Sequence, residues 1–218
     1  MYSNSLKFIG GVILIVFAIL PVSCIKNLTQ TTLVYANDFE RGDPNGIAIS
    51  GWNNGSFGNI TGSKIENYNG SNVLGKFNNN LIILDLTNLP QHQILRVEMD
   101  LYLHNKWQND LWKMSLDGAD QLLTGFSNNP AIQQAYPNWL GNGSPLSPAG
   151  ADAQNTNLPG VCTLSNQAGG TSMYHIISTI PHSGTGFVLT CSDAGGQVND
   201  TCQRSWSIDN LKVTIFKN

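Results

Sequence analysis

The chain has 218 residues, a formal net charge of −3 and only 11% charged residues, against about 25% in an average soluble domain. It contains 22 glycines and 26 asparagines but no basic stripe able to neutralise phosphates, which argues against nucleic acid as a partner. Ile, Leu, Val and aromatic residues recur along its whole length, so it reads as an exposed β-protein with long polar loops, large enough for one self-sufficient core, and not as a disordered chain.

Residues 1–23 read as a signal peptide. Lys7 supplies a positive charge, and Phe8 to Leu20 form an apolar run too short for the roughly 20 residues that span a bilayer. The run ends in Leu20-Pro21-Val22-Ser23-Cys24, which resembles a bacterial lipobox although Pro21 stands where Leu is usual. That resemblance implies acylation of Cys24 and a lipoprotein anchored at the outer membrane or cell surface. Simple cleavage and secretion is the alternative. Residues 24–31 would be a short tether, and 32–218 a single domain.

Cys191 and Cys202 flank a polar loop between two strand-like runs, a spacing that suits a hairpin-closing disulfide in an exported protein. Cys162 is then unpaired if Cys24 carries lipid and could pair with Cys24 if it does not; reduced thiols are the other reading. No Cys-X-X-Cys spacing suggests zinc or redox chemistry.

Short β-branched, aromatic or alternating runs, punctuated by Gly, Asn and Pro, predict strands over Thr32–Phe39, Ile47–Trp52, Val73–Phe77, Leu81–Leu86, Ile94–His104, Leu111–Leu116, Gln121–Phe126, Met173–Ile180, Gly186–Cys191 and Trp206–Phe216. Asp117-Gly118 is a hairpin-turn signal. Many short strands with turn chemistry imply an all-β, two-sheet antiparallel sandwich of jelly-roll type. Asn53–Asn72 and the loop 127–170 lack strand character, and the longer one is expected to cover or rim a sheet.

One predicted strand carries the most chemistry. From Leu95 to His104 alternation is strict, so Leu95, Val97, Met99, Leu101 and Leu103 face a core while Arg96, Glu98, Asp100, Tyr102 and His104 share the open face. Carboxylates that accept hydroxyl hydrogen bonds beside an aromatic ring suit a sugar. An ordinary solvated face is the competing reading. Catalysis fares worse. Laminarinase-like glucanases place a second glutamate after a Glu-X-Asp pair, and here Tyr102 and Leu103 occupy the two places where it could stand. No Gly-X-Ser-X-Gly or His-Glu-X-X-His occurs, and His175 and His182 read as structural. No residue is assigned a catalytic role. Trp107, Trp112, Tyr136 and Trp139 sit in or beside polar loops, and Trp107 and Trp139 join the candidate ligand residues.

The domain opens with Asp38-Phe39-Glu40 and Gly51-Trp52 and closes with Trp206-Ser207-Ile208-Asp209-Asn210-Leu211-Lys212-Val213. These motifs resemble extracellular jelly-roll modules, the concanavalin A-like domains and the calcium-containing carbohydrate-binding modules. The resemblance, over about residues 32–216, implies a β-sandwich whose first and last strands adjoin and are pinned by one structural Ca²⁺. It places Glu40 and Asp209, helped by Asp38, among the ligands. The expected function is non-catalytic glycan binding at the cell surface. A polysaccharide hydrolase or lyase of the same fold, and an adhesive envelope protein that binds other proteins, are the alternatives.

Overall fold

The computed structural model describes residues 28–53, 56–60, 64–140, 143–194 and 200–217. The signal-peptide and Cys24 expectations lie outside them. Among the described residues there is no α-helix, and none is therefore long and apolar enough to cross a membrane.

Among the described residues thirteen strands make two antiparallel sheets. The first holds β1 (Gln30–Asn37), β4 (Ile65–Tyr68), β5 (Ser71–Phe77), β7 (Ile94–Asn105), β10 (Asn155–Leu158), β11 (Thr171–Pro181) and β13 (Arg204–Lys217). Its order is β10-β11-β7-β13-β5-β4, and β1 also pairs with β13. The second holds β2 (Ile47–Asn53), β3 (Ser56–Asn59), β6 (Asn80–Leu86), β8 (Gln108–Leu116), β9 (Ala119–Ser127) and β12 (Phe187–Ala194), in the order β3-β2-β6-β12-β8-β9. This is the jelly-roll type of sandwich. All ten predicted strands form, and three short ones were not anticipated: β3 and β4 in the polar stretch before Asn72, and β10 inside the long loop.

Alternation decides which side of each strand is buried. On β7, Leu95, Val97, Met99, Leu101 and Leu103 are all sealed in the core. From the facing sheet, Trp112 meets Trp206 edge-on with ring centres 5.9 Å apart. Two hairpins turn on left-handed pairs: Asp117-Gly118 (φ 50° and 78°) joins β8 to β9, and Asn69-Gly70 (φ 51° and 90°) joins β4 to β5. Both residues of such a turn need positive φ, which Asn, Asp and Gly tolerate.

Strand β13 organises the first sheet. Its register on β7 slips between Asp209, opposite Asp100, and Lys212, opposite Glu98, so the chain carries one extra residue there. On the other side of β13, Trp206–Ile208 pair with β5 and Leu211–Lys217 pair with β1. Asn210 sits at this bulge with φ 52°. The first and last strands do adjoin.

The long loop is ordered by buried polar groups. Gln134 accepts from the Ser127 and Gly150 amides and the Tyr174 hydroxyl, and donates to the Tyr136 and Ala151 carbonyls. Tyr136 stacks on Phe126 at 4.6 Å and meets Tyr174 edge-on at 5.2 Å, so this half of the loop closes the side between β9 and β11. The later half folds over the outer face of the first sheet. There Val161 packs with Tyr68 and Val73 in a second small core, and Tyr68 donates to the Pro159 carbonyl at 2.5 Å.

The disulfide expectation is corrected. Cys202 bonds Cys162, with Cα atoms 5.6 Å apart, and Cys191 is a free thiol. The reason is topological: β12 belongs to the second sheet and β13 to the first, so the segment between them is a crossover and not a hairpin. Cys191 points into the core opposite Ile82 and Met114, and burial pushes its thiol pKa up.

Polar links also hold both ends of the sandwich. At one end the buried Arg204 guanidinium contacts Asp110 at 2.6 Å and Asp193 at 3.3 Å, and Asp193 also accepts from the Trp206 indole at 2.9 Å. At the other, His92 Nδ1 lies 2.6 Å from the Pro90 carbonyl, and its Nε2 lies 2.7 Å from His182 Nδ1. His182 Nε2 is 3.1 Å from Asp117. The two rings are within 15° of parallel with centres 4.9 Å apart, as suits imidazoles meeting edge to edge.

Candidate binding face on the first sheet

The outer face of the first sheet has a covered end and an open end, and the alternating residues of β7 run from one to the other. At the covered end His104 is sealed. Its ring nitrogens lie 3.0 Å from the Thr171 hydroxyl and 2.9 Å from that of Ser207, and Tyr68 packs against it. Burial, helped by the Lys76 charge, lowers its pKa to about 3, so it is neutral. His104 therefore cannot meet a ligand at the surface. Trp107 is likewise no loop platform. It is fully buried, its indole donates to the Ser205 carbonyl at 2.9 Å, and the Arg204 guanidinium lies 5.4 Å from its ring centre. Trp112 is also buried in full. Alternation assigns a side chain to a face but does not tell what folds over that face.

Tyr102 stands at the boundary. It is half-buried, edge-on to Tyr68 at 5.5 Å, and its phenol pKa is pushed up to about 12 by burial and by the charges of Asp209 and Asp100. Beyond it the face opens into a shallow groove of about 450 Å³ lined by Glu98, Asp100, Gln154, His175, Asn210 and Lys212. Asp100 is its centre. One oxygen takes a 2.7 Å contact from His175 Nδ1 and the other accepts from the Asn210 amide at 2.9 Å. With Nδ1 turned to the carboxylate, His175 has Nε2 as its other polar atom. Arg96 lies further along the open end, its guanidinium over the Phe216 ring at 5.1 Å and donating to Thr179.

Asp209 lies directly opposite Asp100 in register. Ser71 joins it to Glu40, its hydroxyl 2.5 Å from Glu40 and 3.4 Å from Asp209. Burial, and then the like charges of Asp100 and Glu40, raise the Asp209 pKa to about 6, against the pull of the Asn210 amide on its oxygen. The fold thus brings Glu40 and Asp209 to one hydroxyl, but Asp38 turns its carboxylate to the Glu40 amide at 3.3 Å. Among the described residues no three His, Cys, Asp or Glu side chains gather as a metal site needs. The pair alone falls short of the six to eight oxygens that calcium takes.

Trp139 is exposed, yet its neighbour Leu140 is bonded to Leu123 of β9 in the other sheet, and Trp139 does not line the groove. Sequence reasoning missed His175, Asn210, Gln154 and Lys212. The first was within reach, because Met173, His175, Ile177 and Thr179 alternate on β11 as the β7 residues do. Asn210 takes its place only through the bulge, which no periodicity announces.

No family model matches the chain, and no curated protein sequence matches it. Among solved structures it is similar to dimeric latent PorU from Porphyromonas gingivalis, at 8% identity and a TM-score of 0.37 over 63% of this chain and 10% of that one. The chain thus spans a tenth of PorU. It is also similar to a family 35 carbohydrate binding module from Clostridium thermocellum, at 8% identity and a TM-score of 0.35 over 84% of this chain and 97% of that one.

Proposed function

We propose that the chain is a non-catalytic binding domain that takes a polyhydroxylated ligand, a glycan, on the open end of the first sheet. The observation that carries this reading is the Asp100 groove. Asp100 is held at both oxygens, Glu98 and Lys212 line the groove beside it, and Gln154 offers both a donor and an acceptor. Vicinal hydroxyls pair with such alternating donors and acceptors. Export with a lipid on Cys24 belongs to the same reading and would seat the sandwich on a membrane surface.

A glycan array probed with the full chain in detergent tests it. Binding should fall by roughly tenfold or more in Glu98→Ala and Lys212→Ala, the scale of one lost charge-assisted hydrogen bond. A blank array from protein with an intact β-type circular dichroism spectrum would overturn it. Repeating the array with calcium and with chelator tests whether Glu40 and Asp209 belong to a metal site. An effect of chelator that persists in Glu40→Gln would remove that idea.

A further inference from the structure

The Asp100 groove has a continuation. On the far side of β13 a second depression, of about 510 Å³, lies between β1 and the segment after it, and includes Ala36, Asp38, Arg41 and Asp43. Asn210 and Lys212 line both depressions. Register shows how they connect. Ile177, Glu98, Lys212 and Ala36 stand in one row across β11, β7, β13 and β1. Three strand spacings of about 4.8 Å make that row roughly 14 Å long before its flanks are counted. The bulge at Asn210 joins the two halves at the surface, and the amide of Asn210 is fixed by Asp100.

Charges of both signs line this track. Glu98 and Asp100 border the first depression, Lys212 both, and Asp38, Arg41 and Asp43 the second. A polymer of uniform charge would meet like charges along it, whereas an uncharged polyhydroxyl chain finds donors and acceptors throughout. A single sugar ring occupies only part of the length.

Resting on the glycan reading, we infer that the site takes several consecutive units of an uncharged polysaccharide laid across the strands, engaging both depressions, and not a single sugar. The test is calorimetry with mono-, tri- and hexasaccharides of neutral β-glucan, xylan and mannan type. Affinity should rise about tenfold or more from mono- to hexasaccharide in one series. Ala36→Trp, which fills the depression beside β1, should bring the hexasaccharide down to the trisaccharide's affinity and leave the trisaccharide unchanged. Gln154→Trp, inside the Asp100 groove, should instead weaken the trisaccharide and the hexasaccharide alike. Equal affinity for mono- and hexasaccharide, or no effect of Ala36→Trp in folded protein, overturns the inference and leaves the glycan reading standing. No binding of any saccharide overturns both.

Discussion

Asp209 shows how much one side chain depends on its neighbours. Its motif, Ile208-Asp209-Asn210, was visible in the sequence, but the charges that act on it come from Glu40 and Asp100, far away along the chain. With a folded pKa of about 6, raised above the ordinary carboxylate value near 3.9, Asp209 keeps a proton on folding that the unfolded chain has released. Stability from this group is therefore fully present below about pH 4 and lost as pH rises through about 6. Asp209→Asn should remove that slope and gain on the order of 2 kcal/mol at pH 7. Urea midpoints of wild type and variant at several pH values check it, and parallel midpoints would contradict it. His104 acts in the opposite sense. Its pKa is lowered to about 3, so its share of stability is present above about 6.5 and lost as pH falls. That share is common to both proteins and cancels in their difference. The same residue scale explains the misread aromatic: Trp107 looks like a loop residue beside Lys106 and Gln108, and only the fold shows Arg204 and Ser205 closing over it.

Among the elements, periodicity was a sound guide where a strand has one face in the core and one outside, as in β7 and β11. It failed for β3, β4 and β10, each four residues long, where too few positions exist to show a period and edge pairing does the work. The crossover from β12 to β13 defeated spacing in another way, since Cys191 lies on a strand of the second sheet while Cys202 lies in the turn that leads into β13 of the first. The real bond, Cys162–Cys202, ties the strap over Tyr68 and His104 to the start of β13, and Asn105 supports it by donating to the Cys202 carbonyl and accepting from the Val161 amide. With a sequence separation of 40, chain-entropy reasoning gives the bond about 4 kcal/mol. Reductant or Cys202→Ser should lower the melting temperature markedly, while Cys191→Ser should leave the response to reductant intact. An unchanged melting curve of the wild type in reductant would refute the role of this bond.

The molecule as a whole is a sandwich whose architecture could be read from turn chemistry and alternation, while the order of strands could not. Ten strand-like runs allow many pairings, and what selects this one is which apolar rows meet, Trp112 on Trp206 above all. At this scale the expectation to test is the anchor. Cells fed labelled palmitate should incorporate it into the wild-type chain and not into Cys24→Ser, and the wild type alone should partition into detergent. Label retained in the variant would place the lipid elsewhere or remove it from the account.

The paired histidines at the far end of the sandwich have a mechanical consequence. His92 reaches the Pro90 carbonyl, His182 reaches His92, and Asp117 lies 3.1 Å from the other side of His182. The segment before β7, the segment after β11 and the β8–β9 turn therefore meet through two rings, and removing either imidazole would unfasten both sheets from each other at this end.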